Sequence, residues 1–132
     1  MKILLAILFC ASLAFAHEGH DHDKPAEIKA PKGGLIKTLE ETHVEVLEDN
    51  GEVYVYLYDK TLKPKNVKGF KLTAKTKLPR ADKEQSLELK AQEKSYKANF
   101  KSKAHRYTLI LTIFDPATGH TDTLNYIIEP KR

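Results

Sequence analysis

Six side chains that can bind a transition metal lie within seven consecutive residues near the start of this 132-residue chain. They are His17, Glu18, His20, Asp21, His22 and Asp23. Imidazole and carboxylate groups bind copper, zinc and nickel when thiolates are absent. The segment therefore predicts capture of a transition metal ion, with copper favoured and zinc or nickel as alternatives.

Cleavage of a signal peptide would add one more ligand to this segment. After Met1-Lys2, an apolar run extends from Ile3 to Phe15 and is followed by Ala16, which is typical of a secretory signal peptide over residues 1–16. The run is too short to cross a bilayer as a helix. We predict cleavage after Ala16, so that the α-amine and imidazole of His17 can chelate Cu(II) together. The expected location is periplasmic or secreted, with no membrane span after cleavage.

The same segment also has a simpler interpretation as a charged, soluble leader. Residues 17–32 are polar, contain Pro25 and Pro31 and offer almost nothing to bury, so they predict a disordered histidine-rich leader. A short tract rich in histidine is compositional evidence only. The sequence leaves open whether the leader binds metal or serves as a tether.

Composition excludes several other classes of function. Cys10 is the single cysteine and lies in the predicted signal peptide, so the mature chain would lack disulfides and thiolate ligands. The net charge of +4 is not gathered into a basic block with interleaved aromatic residues, which argues against a nucleic acid partner. No nucleophile elbow, phosphate-binding glycine loop or His-Glu-x-x-His pair is present. We expect a protein that is not an enzyme.

The body of the chain, residues 33–132, shows the two-residue period of β-strands. Residues 71–78, 86–91 and 95–101 each alternate apolar or small side chains with polar ones, as half-buried strands do. We predict an all-β fold, an antiparallel β-sandwich of seven or eight short strands that is immunoglobulin-like or cupredoxin-like. A small open barrel is the alternative.

Asn50-Gly51 is the strongest short hairpin signal in the sequence. With these residues as the turn, His43 faces Tyr58 and Glu45 faces Tyr56. His43 and Glu45 then share one face of their strand and are the best metal-ligand candidates in the body. Ordinary cross-strand pairing on a solvated face is the alternative.

A second hairpin is predicted near the C terminus, with residues 116–119 as its loop. In that register Leu111 faces Leu124 and Tyr107 faces Ile128. A bulge in the loop would shift the pairing by one residue, so this register is the less firmly determined of the two.

Several motifs within residues 32–69 occur together in a known pattern. They are Gly33-Gly34, His43-x-Glu45, Asp49 to Gly51, Tyr56 to Asp59, Lys63-Pro64 and Gly69. With the leader, they resemble the N-terminal module of heavy-metal efflux adaptor proteins and related small exported His-rich bacterial proteins. The resemblance implies a periplasmic β-domain for copper or other transition metals, with an efflux or envelope complex as partner. Lys32 departs from the pattern, which often has histidine there, and a protonated lysine does not bind metal.

Two functions follow from these features. The first is a periplasmic, non-catalytic metal-binding protein, a buffer or carrier in metal homeostasis, in which the leader captures the ion and His43 and Glu45 assist. The second is a structural or adaptor module of an envelope complex, which docks through its Tyr-Glu-His face and has no specific role in metal binding.

Overall fold

The computed structural model describes residues 27–131, in which all regular secondary structure is β-strand. Nine strands form two antiparallel sheets in this range, which confirms the predicted β-sandwich. The strands are β1 (Leu35–Thr38), β2 (His43–Asp49), β3 (Glu52–Tyr58), β4 (Lys71–Lys77), β5 (Gln85–Leu87), β6 (Lys90–Ala91), β7 (Tyr96–Asn99), β8 (Tyr107–Phe114) and β9 (Thr121–Ile128). Within the described range, no helix is long and apolar enough to cross a membrane.

The first sheet has the strand order β1-β2-β3-β7-β6, and the second has the order β5-β4-β8-β9. The core lies between them because alternate side chains of each strand point inward. The first sheet contributes Val44, Val46, Val53, Val55 and Leu57, and the second contributes Leu109, Leu111, Ile113, Tyr126 and Ile128. The Tyr126 hydroxyl donates a 2.7 Å hydrogen bond to the carbonyl oxygen of Val44. This bond places β9 opposite β2.

Both predicted hairpin registers are confirmed. His43 pairs with Tyr58 across the first hairpin, and its turn residues Asn50 and Gly51 have φ angles of 50° and 81°. A two-residue turn of this kind needs positive φ at both positions, which asparagine and glycine tolerate best. In the second hairpin, β8 and β9 pair over their whole length without a bulge.

Residues 86–91, predicted as one strand, lie in two short strands of different sheets. β5 pairs with β4 in the second sheet, whereas β6 pairs with β7 in the first. Glu88 and Leu89 carry the chain from one sheet to the other. Alternation did not reveal the change of sheet because both halves keep the same two-residue period. The split is one reason why the strands exceed the predicted seven or eight.

The end of the predicted leader is attached to the body. The N–H of Gly33 donates a 3.0 Å hydrogen bond to the carbonyl oxygen of Ala30, and the N–H of Lys32 binds the side chain of Glu45. These contacts lie directly before and at residue 33, where the sandwich domain is predicted to begin. Residues 1–26, with the predicted signal peptide and the leader histidines, lie outside the described residues.

Candidate functional site

Glu45 lies in the middle of β2, is 0 % exposed and accepts hydrogen bonds from three described residues. The N–H of Lys32 is 3.0 Å from Oε1 and 3.1 Å from Oε2, and the N–H of Gly34 is 2.7 Å from Oε2. The Tyr58 hydroxyl donates to Oε1 at 2.7 Å. An ionised carboxylate only accepts hydrogen bonds, so these donors match it. They offset the large cost of burying a charged group.

Gly34 allows the chain to reach this carboxylate. A Cβ atom at position 34 would overlap the carbonyl oxygen of Val46 and would crowd Oε2 of Glu45. Its neighbour Gly33 has a φ of 76°, which strains any residue with a Cβ. The Gly33-Gly34 and His43-x-Glu45 motifs therefore form one structural unit, in which the glycines allow a close approach and Glu45 binds the approaching backbone.

Tyr58 completes this unit from the neighbouring strand. Its register partner is His43, so its hydroxyl reaches Glu45 diagonally along the sheet face. Burial, the hydrogen bond to Glu45 and the negative charge of that carboxylate raise the pKa of the Tyr58 phenol far above its ordinary value. Tyr58 therefore remains a hydrogen-bond donor at any physiological pH. Register alone did not predict this diagonal contact.

His43 lies on the same face and is also buried, with 8 % of its surface exposed. Its Nδ1 atom is 2.8 Å from Oγ1 of Thr38, which is its register partner on β1. The structure thus brings together the predicted cluster of His43, Glu45 and Tyr58. It is not a solvated face, because His43 and Glu45 are both buried and the backbone N–H groups of Lys32 and Gly34 lie against Glu45.

The described residues contain no cluster of three or more His, Cys, Asp or Glu side chains that could hold a metal ion. Glu45 could bind a metal ion only by giving up its hydrogen bonds to Lys32, Gly34 and Tyr58. Its geometry therefore favours a role in anchoring the backbone of residues 32–34. Metal binding by His43 and Glu45 remains a prediction. The leader ligands also remain predictions, since they lie outside the described residues: His17, Glu18, His20, Asp21, His22 and Asp23.

Two half-buried tyrosines extend the same face away from Glu45. The ring centroids of Tyr54 and Tyr56 are 6.2 Å apart, with an interplanar angle of 17°. The Nζ atom of Lys32 lies 5.6 Å from the Tyr56 centroid, and that of Lys97 lies 5.6 Å from the Tyr54 centroid. Lys97 also forms a 3.0 Å ion pair with Glu52. These side chains form a surface of aromatic rings and ammonium groups, which we call the tyrosine face.

No protein family profile matches the chain, and no curated protein matches it. A crystal structure of a DUF4426 family protein from Pseudomonas aeruginosa PAO1 is similar in backbone, with a TM-score of 0.48 and 19 % sequence identity. The likeness covers 74 % of this chain and 99 % of that one. At this level it carries no information about function.

Proposed function

We propose that this chain is a periplasmic, non-catalytic transition-metal-binding protein, a buffer or carrier in metal homeostasis. Residues 17–23 supply imidazole and carboxylate ligands for copper, zinc or nickel. The metal ion is the cargo of the protein. One observation gives the main support from the body: Glu45 fastens the backbone of Lys32 and Gly34, which fixes the point where the leader joins the sandwich.

The fixed attachment has a consequence for ion capture. A leader joined to a stationary point stays close to the body, so its ligands have a high effective concentration toward any group on the neighbouring surface. Imidazoles bind metal only in their neutral form, and a free imidazole titrates near pH 6.5. Metal uptake is therefore expected to weaken as the pH falls below about 6.5.

Metal titration of the mature chain beginning at His17 tests this function. Cu(II), Zn(II) and Ni(II) should each be titrated into the intact protein, a deletion of residues 17–23, and a triple variant with His17, His20 and His22 changed to alanine. Both changes should abolish the tightest site. His105→Ala is the matched control because that histidine is exposed and lies outside the leader. Unchanged affinity and stoichiometry after the deletion would exclude the leader from metal binding.

Native mass spectrometry of the exported protein tests the location and the mature N terminus together. The expected species begins at His17 and carries a transition metal ion. A chain that retains residues 1–16 would contradict the predicted export.

The tyrosine face favours the second candidate, an adaptor module that docks onto an envelope complex. Tyr54 and Tyr56 present stacked, half-exposed rings, and aromatic residues are enriched at protein interfaces. Tyr56→Ala should then abolish capture of the partner complex while metal uptake stays normal. His43→Ala should preserve capture, because His43 is buried and offers little surface to a partner. Equal capture by Tyr56→Ala and the unchanged protein would contradict this candidate.

A further inference from the structure

The first sheet extends beyond the second on the side where β1 and β9 lie. The Tyr126 hydroxyl reaches the carbonyl oxygen of Val44, so β9, the last strand of the second sheet, lies opposite β2. β1 lies one strand further out. The second sheet therefore has no strand opposite β1 within residues 27–131.

Two side chains of β1 point toward this uncovered position. Leu35 pairs with Val46 and Lys37 pairs with Val44. Because Val44 and Val46 point into the core, Leu35 and Lys37 also point toward the space between the sheets. Leu35 is nevertheless 46 % exposed. An inward-facing leucine is exposed here because the opposing strand is missing.

A groove of about 1400 Å³ lies at this position, lined on one side by residues 27–30 and 33–38 and on the other by residues 125–127 of β9. Two of the four large apolar side chains that are exposed in the described part of the chain, Ile28 and Leu35, line this groove. Ile127 also borders it, but its side chain alternates with the inward-facing Tyr126 and points to the outer face of the second sheet. Monomeric proteins rarely gather exposed apolar side chains in one place unless something binds there.

The edge of β9 is also unprotected. It has eight residues, it pairs with β8 alone within residues 27–131, and its pairing has no bulge. Its sequence contains no lysine or proline. Natural sheets usually blunt such edges with these devices, because the unpaired N–H and C=O groups recruit another strand.

We propose that the groove receives an extended segment of a partner protein, which pairs with β9 as a fifth strand of the second sheet and is covered by β1. Such strand addition uses backbone hydrogen bonds for affinity and alternate side chains for specificity. The inference is independent of metal binding by the leader and of the tyrosine face.

The charges in the groove define the partner segment further. Lys29 and Lys37 lie in its walls with a single carboxylate, Glu27. Leu35 and Lys37 are two residues apart and face the same way, as alternate positions of an added strand would. The matching segment carries an apolar side chain toward Leu35 and, two residues away, an aspartate or glutamate toward Lys37.

Neither this chain's own leader nor a second copy fits as well. After the predicted removal of residues 1–16, residues 17–26 offer no large apolar side chain for Leu35. In a second copy, β9 already has β2 opposite it, as the Tyr126 bond to Val44 shows. If the β9 strands of two copies paired antiparallel, β2 of the second copy would occupy the same space as β1 of the first copy. The two strands would therefore clash.

A fused strand tests the proposal. The probe is the mature chain extended after Arg132 by a flexible linker of about eight glycine and serine residues and the strand Thr-Val-Thr-Val-Thr-Glu-Thr-Val. The fused strand should raise the thermal unfolding midpoint by at least about 4 °C and slow hydrogen exchange of the β9 amides that do not pair with β8. The same fusion with two prolines in the strand should do neither, because proline cannot complete the ladder.

Two further variants separate groove binding from nonspecific effects. Leu35→Lys should remove the stabilisation by the fused strand, whereas Leu78→Lys should retain it, since Leu78 is an exposed leucine outside the groove. Equal midpoints for the valine and proline fusions would overturn the proposal. A dimer of the unfused chain in sedimentation, abolished by Leu35→Lys, would also overturn it in favour of a second copy.

Discussion

The sandwich has two sides at which the edge strands of its sheets lie, one with β5 and β6 and the other with β1 and β9. The two sheets are connected differently at these two sides. On the β5–β6 side the chain itself crosses between the sheets, and the edge strands have three and two residues. On the β1–β9 side no chain crossing joins the sheets within the described residues. A side-chain hydrogen bond does so instead, from Tyr126 of β9 to Val44 of β2. Within the first sheet, Glu45 holds the turn before β1 against β2.

This difference teaches where single substitutions should matter. A backbone crossing depends on no particular side chain, whereas each contact on the β1–β9 side depends on one residue. The β1–β9 side is therefore expected to be more sensitive to mutation. It is also the side where the predicted leader joins and where the groove lies. Four predictions test the comparison, in order of decreasing effect.

Alkaline pH should produce the largest loss of stability. Burial raises the pKa of Tyr58, Tyr107 and Tyr126 well above the ordinary value near 10, so above about pH 10 the unfolded chain loses phenolic protons that the folded chain keeps. The free energy of unfolding should be unaffected by these groups below pH 10. It should then fall by up to about 1.4 kcal/mol per pH unit for each tyrosine.

Urea unfolding at several pH values measures this loss. Tyr58→Phe and Tyr126→Phe should each make the free energy of unfolding fall less steeply with pH, by the equivalent of about one proton. Two of the three protons would then belong to tyrosines that make contacts on the β1–β9 side. A free energy of unfolding that stays constant between about pH 10 and 11.5 would contradict the prediction.

Gly34→Val should lower the free energy of unfolding by about 3 kcal/mol, because its Cβ would overlap the carbonyl oxygen of Val46. Hydrogen exchange should accelerate in β1 and remain slow in β7. The control is Ser86→Val in the exposed edge strand β5, which should change stability by less than about 0.5 kcal/mol. Equal losses for the two variants would remove the contrast between the two sides.

Glu45→Gln should cost about 2 kcal/mol of stability. The substitution places an amide N–H₂ group against donors that need an acceptor, and it removes the charge that strengthens these hydrogen bonds. The amides of Lys32 and Gly34 should lose protection from exchange. Glu41→Gln is the matched control, because Glu41 forms an exposed ion pair with Lys60 and such pairs contribute little.

Two buried tyrosines give the finest test. Tyr126→Phe should cost about 1 kcal/mol, because it removes the hydrogen bond to Val44. Tyr107→Phe should be neutral or slightly stabilising, since the Tyr107 hydroxyl is buried without a hydrogen-bond partner in the described part of the chain. Thermal unfolding of both variants provides the measurement. A larger loss for Tyr107→Phe would show that its hydroxyl has a partner such as a bound water.

The sequence predicted those parts of the fold in which local signals agree with long-range pairing. Asn50-Gly51 set the register of β2 and β3, and alternation then identified the inward valines. The crossing from β5 to β6 could not be predicted, because a change of sheet leaves the two-residue period intact. The groove was also missed, since only the three-dimensional structure shows that Leu35 points inward and that no strand faces it.

For the candidate site, the sequence identified His43 and Glu45 but not their environment. Their position on one face followed from strand alternation. Their burial depends on backbone N–H groups of Lys32 and Gly34, and backbone groups have no signature in amino-acid type. The Gly33-Gly34 motif is the signal that could have revealed this contact, because paired glycines often mark a close approach of the backbone.

The contact between Glu45 and residue 32 also has an evolutionary consequence. Glu45 binds the backbone N–H of this residue, so any amino acid except proline can supply the contact. The side chain at this position can therefore change without disturbing the fold, while its location beside Tyr56 stays the same. Exchange of lysine for histidine would place an imidazole there at little structural expense, so selection could adjust the chemistry of this face through a single codon.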